Sequence, residues 1–341
     1  MTPALLCALV LAFSPAAAAS ASGTDSAAID AAIEKAVAWI DALPVDPKAL
    51  REERGMRGKK HFAEKLFAYA VLAKAESDPK KREAIVAKFA AAFAPARARE
   101  FHEFDVSDVK LLREESMSYL TALWLAARLG VPAPEGEASV AEKKAAIAKD
   151  LPNRAVHWQL AFAFLLGKLG HEPPESVESL ARKTMLAAKR PTNSLSVEDV
   201  YGLVHEIFVL SSYGDEPVRW PTPESRLYAH AALPALVQRA IRDNDADLLA
   251  ELLVAMRLSS LSAGATFEDG VRHLLGRQNP DGSFGTYERR RAELERAGSR
   301  FDVNVGGYLH TTEVALWALL EARAAKRAGP STSEAAEPRP R

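Results

Sequence analysis

The sequence predicts an all-α fold, a closed or nearly closed α/α toroid (barrel) of stacked helical hairpins. Three observations carry that expectation. Apolar helices that are hydrophobic nearly all round alternate with amphipathic ones, the pattern of an inner ring of buried helices wrapped by an outer ring. Three of the apolar helices close with the same phrase, a glycine and then a proline two or three residues on. Valine and isoleucine seldom fall in the two-residue alternation that a half-buried strand requires.

In chain order, residues 4–13 (ALLCALVLAF) form an apolar run of signal-peptide length, too short to span a bilayer. Pro15 and the small residues 16–21 follow with several A-x-A cleavage sites, so residues 1–21 are read as a signal peptide. The expected destination is periplasmic or secreted, with no transmembrane segment in the mature chain. Asp25 or Ser26 can cap a first helix through Ile33, Trp39 and Ile40, ended by Pro44. Beyond the polar stretch 51–60, apolar helices are expected over 61–75 and 84–94, with an irregular segment at 97–108.

The repeated phrase then begins. Residues 117–130 (MSYLTALWLAARLG), 157–170 (HWQLAFAFLLGKLG) and 201–214 (YGLVHEIFVLSSYG) are apolar helices closed by a C′ glycine. Gly130, Gly170 and Gly214 are spaced 40 and 44 residues apart, one helical hairpin per unit. Second helices are expected between them, over 139–149 and 176–189. The pattern continues over 227–242, 245–258 and 266–277, then a charged segment 287–300 and a last apolar helix 311–325. Residues 25–325 therefore form the toroid, and the Gly/Pro/Ser/Glu-rich residues 326–341 read as a disordered tail.

Composition excludes several functions. With 44 basic against 45 acidic side chains, no basic excess is available for nucleic acid or for a polybasic membrane anchor. Cys7 is the single cysteine and falls in the signal run, so the mature chain has no disulfide, thiolate nucleophile or cysteine metal ligand. No P-loop, Rossmann glycine pattern or nucleophile elbow occurs. The basic runs, such as Arg289-Arg290-Arg291, have glutamates nearby and read as solvated helix faces.

Two C-terminal segments carry a resemblance. Residues 274–287 (LLGRQNPDGSFGTY) resemble the Q-x-x-D-G-x-F/W-G turn of the α/α-toroid superfamily of terpene cyclases and prenyltransferase β subunits. Residues 308–319 (YLHTTEVALWAL) resemble the Y-H-T-x-Y-x-L segment of prenyltransferase β subunits. Together they cover about the last fifth of the chain and imply a toroid with a central cavity. Asp281-Gly282 gives a tight turn, Gly285 a second bend, Gln278 can satisfy neighbouring backbone groups, and Phe284 packs between helices. His310 falls at the histidine of that β-subunit segment, where the family binds zinc through Asp, Cys and His. The departures are as informative. There is no D-x-D-D or D-D-x-x-D cluster, and Asp243-Asn244-Asp245-Ala246-Asp247 has the wrong spacing and is expected to cap a helix. Terpene or prenyl chemistry is therefore not expected. Residues 152–214 are also similar to an uncharacterised bacterial domain family with a D-x-Y-x-x-x-H segment, matched by Asp199, Tyr201 and His205.

The chemistry-bearing candidates are histidines. His310 opens the last inner helix and can ligate a metal, move a proton or cap the helix. His205 and Glu206 sit inside an apolar helix, where a charge is costly unless it is paired or faces a cavity. His157 follows Arg154 and a candidate N-cap, Asn153. His61 and His102, in polar surroundings, read as surface residues, and Glu114-Glu115 as serving a helix dipole. One reading is an exported enzyme with catalytic His205, His310 and Glu206 in the cavity. It includes a divalent metal such as Zn on His205, His310 and Asp281, with Tyr201 close by. It requires His205 and His310 to lie within about 10 Å, one helix-pair width. The alternative is a non-catalytic binding or scaffold module, its concave groove lined by Trp124, Trp158 and Tyr119. A carbohydrate-active site needs two facing carboxylates, and no such pair stands out. The partner expected in the cavity is a small molecule or peptide, and the scaffold reading would hold a peptide, glycan or partner protein on its concave face.

Overall fold

The computed structural model describes residues 24–285 and 302–328. Residues 1–21, expected to be a signal peptide, the charged segment 287–300 and residues 329–341 of the expected tail lie outside the described residues. Within them the helices run, in order, α1 (Ser26–Ala42), α2 (Pro47–Glu52), α3 (Gly58–Ala75), α4 (Pro79–Ala92), α5 (Arg99–His102), α6 (Val109–Arg128), α7 (Pro134–Asp150) and α8 (Val156–Lys168). Then follow α9 (Val177–Ala181), α10 (Met185–Ala188), α11 (Val197–Leu210), α12 (Pro223–Asp243), α13 (Ala246–Leu258), α14 (Ala265–Leu275) and α15 (Leu309–Ala328).

Local chemistry sets these boundaries. Asp108 and Asp245 cap α6 and α13 by accepting from Leu111 N and Leu248 N, both at 3.0 Å. Ser196 and Asp199 form a reciprocal capping box on α11. Gly130 and Gly170 end α6 and α8 with φ of +70° and +78°, and Val131 N and His171 N donate back to Ala126 O and Leu166 O. Three details differ from the sequence expectation. The segment 176–189 is two short helices, because Thr184 starts a new cap after a turn at Arg182–Lys183. Asn153 lies in a 3₁₀ turn and does not cap α8, whose N-cap is Ala155. The last helix continues to Ala328.

The fold is a closed α/α toroid. Inner helices α3, α6, α8, α11, α13 and α15 each pack on the next, and α15 returns to α3. Outside them, α4 covers α3, α7 covers α6, α9 and α10 cover α8 and α11, α12 and α14 cover α13, and α1 covers α15. The inner helices are buried on nearly every side; α13 alone buries Leu248, Leu249, Leu252, Leu253, Val254 and Met256. Each such side chain contributes roughly 1.5–3 kcal/mol on leaving water.

Two local devices fix the ring. The turn at 278–285 ties α1 to α15. Gln278 Nε2 donates to Ala32 O at 2.8 Å and to Gly282 O at 3.1 Å, and Phe284 N donates to Thr312 Oγ1 at 2.9 Å. Gly282 has φ +99°, and a Cβ there would lie 2.4 Å from Lys35 O. The second device is a plug. Ser212, Tyr213 and Gly214 are left-handed in succession, φ 50°, 54° and 80°. That costs of order 1 kcal/mol at each non-glycine position. It turns Tyr213 into the ring, where it meets an aromatic from five inner helices. Centroid distances are 5.8 Å to Phe67, 5.0 Å to Trp124, 5.5 Å to Phe164, 6.3 Å to Phe208 and 6.4 Å to Trp317.

Candidate metal centre

The first turns of the inner helices converge at one end of the ring. Asp247 is the second residue of α13 and Glu251 lies one turn on, on the same face. His310 is the second residue of α15. Ligand atoms of Asp247, Glu251 and His310 lie within 4.8 Å of one another. Two donors about 2.1 Å from one ion are at most about 4.2 Å apart, so a small inward adjustment lets all three hold a divalent cation. One imidazole and two carboxylates suit a borderline ion such as Zn, Mn or Fe.

Neighbouring helices orient each ligand. Asp247 accepts from Tyr201 Oη at 2.7 Å and from Thr311 Oγ1 at 2.8 Å. His310 Nε2 faces Glu251 Oε1 at 3.4 Å and Asp247 Oδ2 at 3.8 Å, while its Nδ1 faces Glu64 Oε1 and Glu313 Oε2, both at 3.5 Å. A metal-ligating histidine usually presents its second nitrogen to a carboxylate, which sets the tautomer. Glu64 is held by Lys60 Nζ at 2.7 Å and His61 Nδ1 at 2.9 Å. His205 Nε2 lies 3.4 Å from Glu251 Oε2. His310 is 36 % exposed yet surrounded by protein, as a side chain lining a cavity is.

Four carboxylates therefore share this end of the ring: Glu64, Asp247, Glu251 and Glu313. Burial works against charge on His310, but Asp247, Glu251 and Glu313 hold its pKa well above the ordinary imidazole value. Burial also opposes charge on Glu251, yet His205 and His310 bring it down to about 2. Glu313 is pushed up to about 7 by burial, against the pull of His310. Glu64 is held well below the carboxylate range because Lys60, His61 and His310 outweigh its burial. Glu251 Oε2 and His310 Nδ1 are buried and meet only the long ion-pair contacts given above, without a well-aligned hydrogen bond. Unbonded buried polar atoms are costly, and a bound ion or an ordered water is the usual remedy.

The sequence-predicted residues divide. His205 and His310 come together on the two oxygens of one carboxylate, Glu251. Glu206 points elsewhere: it is 1 % exposed and accepts from Met185 N at 2.9 Å and Leu186 N at 3.0 Å, capping α10. Asp281 is engaged within its own turn, accepting from Ser283 N and Ser283 Oγ. His157 packs beside His205 at 6.4 Å between centroids; burial, then repulsion by His205, lower its pKa to about 4. His61 and His102 are buried, not on the surface, because Glu64 and Tyr119 receive them. Glu115 is buried between Arg51 and Lys59 and does more than serve a dipole. Tyr119 and Trp124 are buried in the core and line no groove, whereas Trp158 is 39 % exposed.

Sequence reasoning missed Asp247, Glu251, Glu64 and Glu313. The signals were present. H-x-x-E occurs at His61–Glu64 and again at His310–Glu313, and Glu251 is a charge inside an apolar helix as Glu206 is.

Among solved structures, an unliganded substitution variant of the type II terpene cyclase MstE from Scytonema superposes with a TM-score of 0.52. It is 15 % identical over 88 % of this chain and 98 % of that one. A second variant of that enzyme, in complex with geranylgeranyl dihydroxybenzoate, gives a TM-score of 0.49 and 13 % identity with the same coverage. At such identity the likeness shows the toroid fold alone. No curated protein matches the sequence. Residues 29–320 match the family described as a domain of unknown function, DUF6895, and the chain belongs to that family.

Proposed function

We propose that this protein is an exported metal-dependent enzyme whose ion is held by Asp247, Glu251 and His310 in the mouth of the toroid. The observation that carries the reading is Glu251, 1 % exposed, whose two oxygens face His310 Nε2 and His205 Nε2 at 3.4 Å each, with no well-aligned hydrogen bond on Oε2 and Asp247 beside it. A buried carboxylate is left so only at a cost of roughly 1–3 kcal/mol or more, which a bound cation would remove. Among the described residues, the four carboxylates here also exceed the one lysine, Lys60, paired directly with them.

A divalent ion at this site supplies Lewis acidity toward a substrate oxygen or a water. Tyr201 and Thr311 fix the Asp247 carboxylate, and Glu64 and Glu313 keep the His310 Nδ1 proton in place so that Nε2 offers its lone pair. His205 is 30 % exposed beside Glu251 and serves as the proton carrier to a substrate entering from that side. The partner is a small molecule or peptide able to enter the ring.

The test is metal titration of the purified full-length protein after chelation. Calorimetry with Zn²⁺ and Mn²⁺ is expected to give one tight site per chain, lost in Glu251→Gln and Asp247→Asn variants that still fold. Absence of such a site, or its persistence in both variants, refutes the reading. Export is tested separately by N-terminal sequencing of protein recovered from its native host; an intact residue 1 rules it out.

A further inference from the structure

Glu251 meets an imidazole on each of its oxygens. Oε1 lies 3.4 Å from His310 Nε2, and Oε2 lies 3.4 Å from His205 Nε2. A charge-assisted N–H···O bond would draw either pair in to about 2.7–2.9 Å. Two donors held about 2.1 Å from a shared ion at tetrahedral angles are instead about 3.4 Å apart. Both separations therefore match the edge of a metal coordination polyhedron, and the ion on Asp247, Glu251 and His310 accounts for only one of them.

The second edge has its own supports. Glu251 Oε2 has no well-aligned hydrogen bond on a side chain that is almost fully buried. The His205 ring is held by Trp158 and by Phe208, at 6.0 and 5.8 Å between centroids, with Nε2 toward that oxygen. His205 keeps 30 % of its side chain exposed, so an ion in solution can reach it.

A third donor stands beside these two. His157, the second residue of α8, has its ring centroid 6.4 Å from that of His205. Two imidazoles on one ion place their centroids about 5–6.5 Å apart as the angle between them opens from tetrahedral to linear. His157 thus stands at the outer limit and needs an inward turn, a larger adjustment than the first ion asks of its ligands. Gly202, one turn before His205, admits it: a Cβ there would lie 3.1 Å from His157 Nδ1. A carboxylate oxygen and two imidazoles suit the same borderline ions as the first set does.

We infer that the mouth of the toroid takes two divalent ions bridged by Glu251: the first on Asp247, His310 and Oε1, the second on His205, His157 and Oε2. This rests on the first ion proposed above and adds to it. Paired ions about 3.5–4 Å apart hold an attacking water and a substrate oxygen side by side. The first ion and Lys60 already offset much of the carboxylate charge, and His157 must turn to bind, so the second ion binds more weakly. While it is bound, a water on it takes over the proton transfer that His205 performs in the one-ion state. The competing arrangement is a plain ion pair of protonated His205 with Glu251, in which a proton fills the place of the second ion.

The probe is Mn²⁺ added to the full-length protein after chelation, followed by calorimetry and electron paramagnetic resonance. Two equivalents per chain are expected, the second at least tenfold weaker than the first. The six-line signal of the first Mn²⁺ should broaden and lose intensity as the second binds, because ions about 4 Å apart couple through the shared carboxylate. His205→Ala should abolish the second equivalent and keep the first with its uncoupled signal; His157→Ala should weaken the second at least tenfold. The two-ion site is overturned, with the first ion intact, if a single equivalent binds, if a second binds without coupling, or if a coupled second ion survives in His205→Ala. Should His205→Ala not fold, His157→Ala takes its place, and a coupled second ion bound there as tightly as in the parent has the same force. Failure to bind any Mn²⁺ overturns the reading of the first ion and the second with it.

Discussion

Glu206 offers a quantitative test of how this toroid manages buried charge. Burial, the largest influence, raises its pKa from 4.5 to about 7 against the opposing pull of its bonds from Met185 N and Leu186 N. A carboxyl whose folded pKa exceeds its unfolded value stabilises fully below the unfolded pKa, and that stability is lost as pH rises through the folded one. A shift of about 2.5 units at about 1.36 kcal/mol each gives a loss on the order of 3 kcal/mol, most of it between pH 5 and 7. Glu206→Gln removes the titration. It also replaces one acceptor oxygen with an NH₂ group facing a backbone N–H, which costs about 1 kcal/mol or more. The variant should therefore be close to the parent in stability at pH 5, where the parent has already lost about 0.8 kcal/mol, and more stable at pH 8 by about 2 kcal/mol. Urea unfolding of both proteins at the two pH values, with chelator present, measures this directly. A stability difference that does not change between pH 5 and 8 would show that Glu206 is not a buried, titrating cap of α10.

Three further outcomes are expected. Zn²⁺ or Mn²⁺ at a hundred times its dissociation constant should stabilise the protein by about 2.7 kcal/mol, a rise of roughly 4 °C for a domain of this size; scanning calorimetry should show it reversed by EDTA and absent in Asp247→Asn. Tyr201→Phe removes the 2.7 Å bond that orients Asp247, so metal affinity should fall by about 10–100-fold with unfolding unchanged; equal affinity by calorimetry would count against the assigned orientation. Gly282→Ala forces a side chain into φ +99° and a backbone oxygen at 2.4 Å, and should destabilise by more than about 1 kcal/mol in urea.

How far the sequence could be read follows from what each residue depends on. Gly130 and Gly170 were legible because a helix end is decided within about six residues, and their positive φ is a local necessity. Gln278 was legible as a backbone-satisfying residue for the same reason, though that it reaches α1 was not. His205 and His310 share Glu251 only because α11, α13 and α15 are consecutive in the ring, a fact of tertiary order. Asp247 read as a cap because Asp245, two residues earlier, is one; one further step along the helix turns the side chain inward. His61 and His102 read as surface residues because their neighbours in sequence are polar, whereas their burial is set by α3 and α6 closing over them. The irregular 176–189 segment shows the converse: Thr184 competed locally for backbone N–H groups and won against helix periodicity.

The chemistry at the two ends of the ring follows from one geometric fact. All six inner helices start at the same end, so their first-turn N–H groups face one space and their last carbonyls face the other. Each start carries roughly half a positive charge, which lowers the cost of burying carboxylates and makes that end the place where Glu64, Asp247, Glu251 and Glu313 are tolerated. Uncharged, these acids would need no counterion; charged, the four need more cation than Lys60 and a protonated His310 supply. The helix starts meet part of that need without occupying the cavity, and the remaining space suits a compact divalent ion better than another side chain. At the other end the sign is reversed, and Lys74, Arg128, Lys168 and Arg257 stand beside the last turns. Those cations in turn fix Asp215, Glu216 and Glu321 in ion pairs, so the charges at that end are matched side chain to side chain. An acidic end and a charge-matched one are thus the two faces of a single parallel arrangement, divided by Tyr213, whose strained backbone puts an aromatic ring on the axis between them.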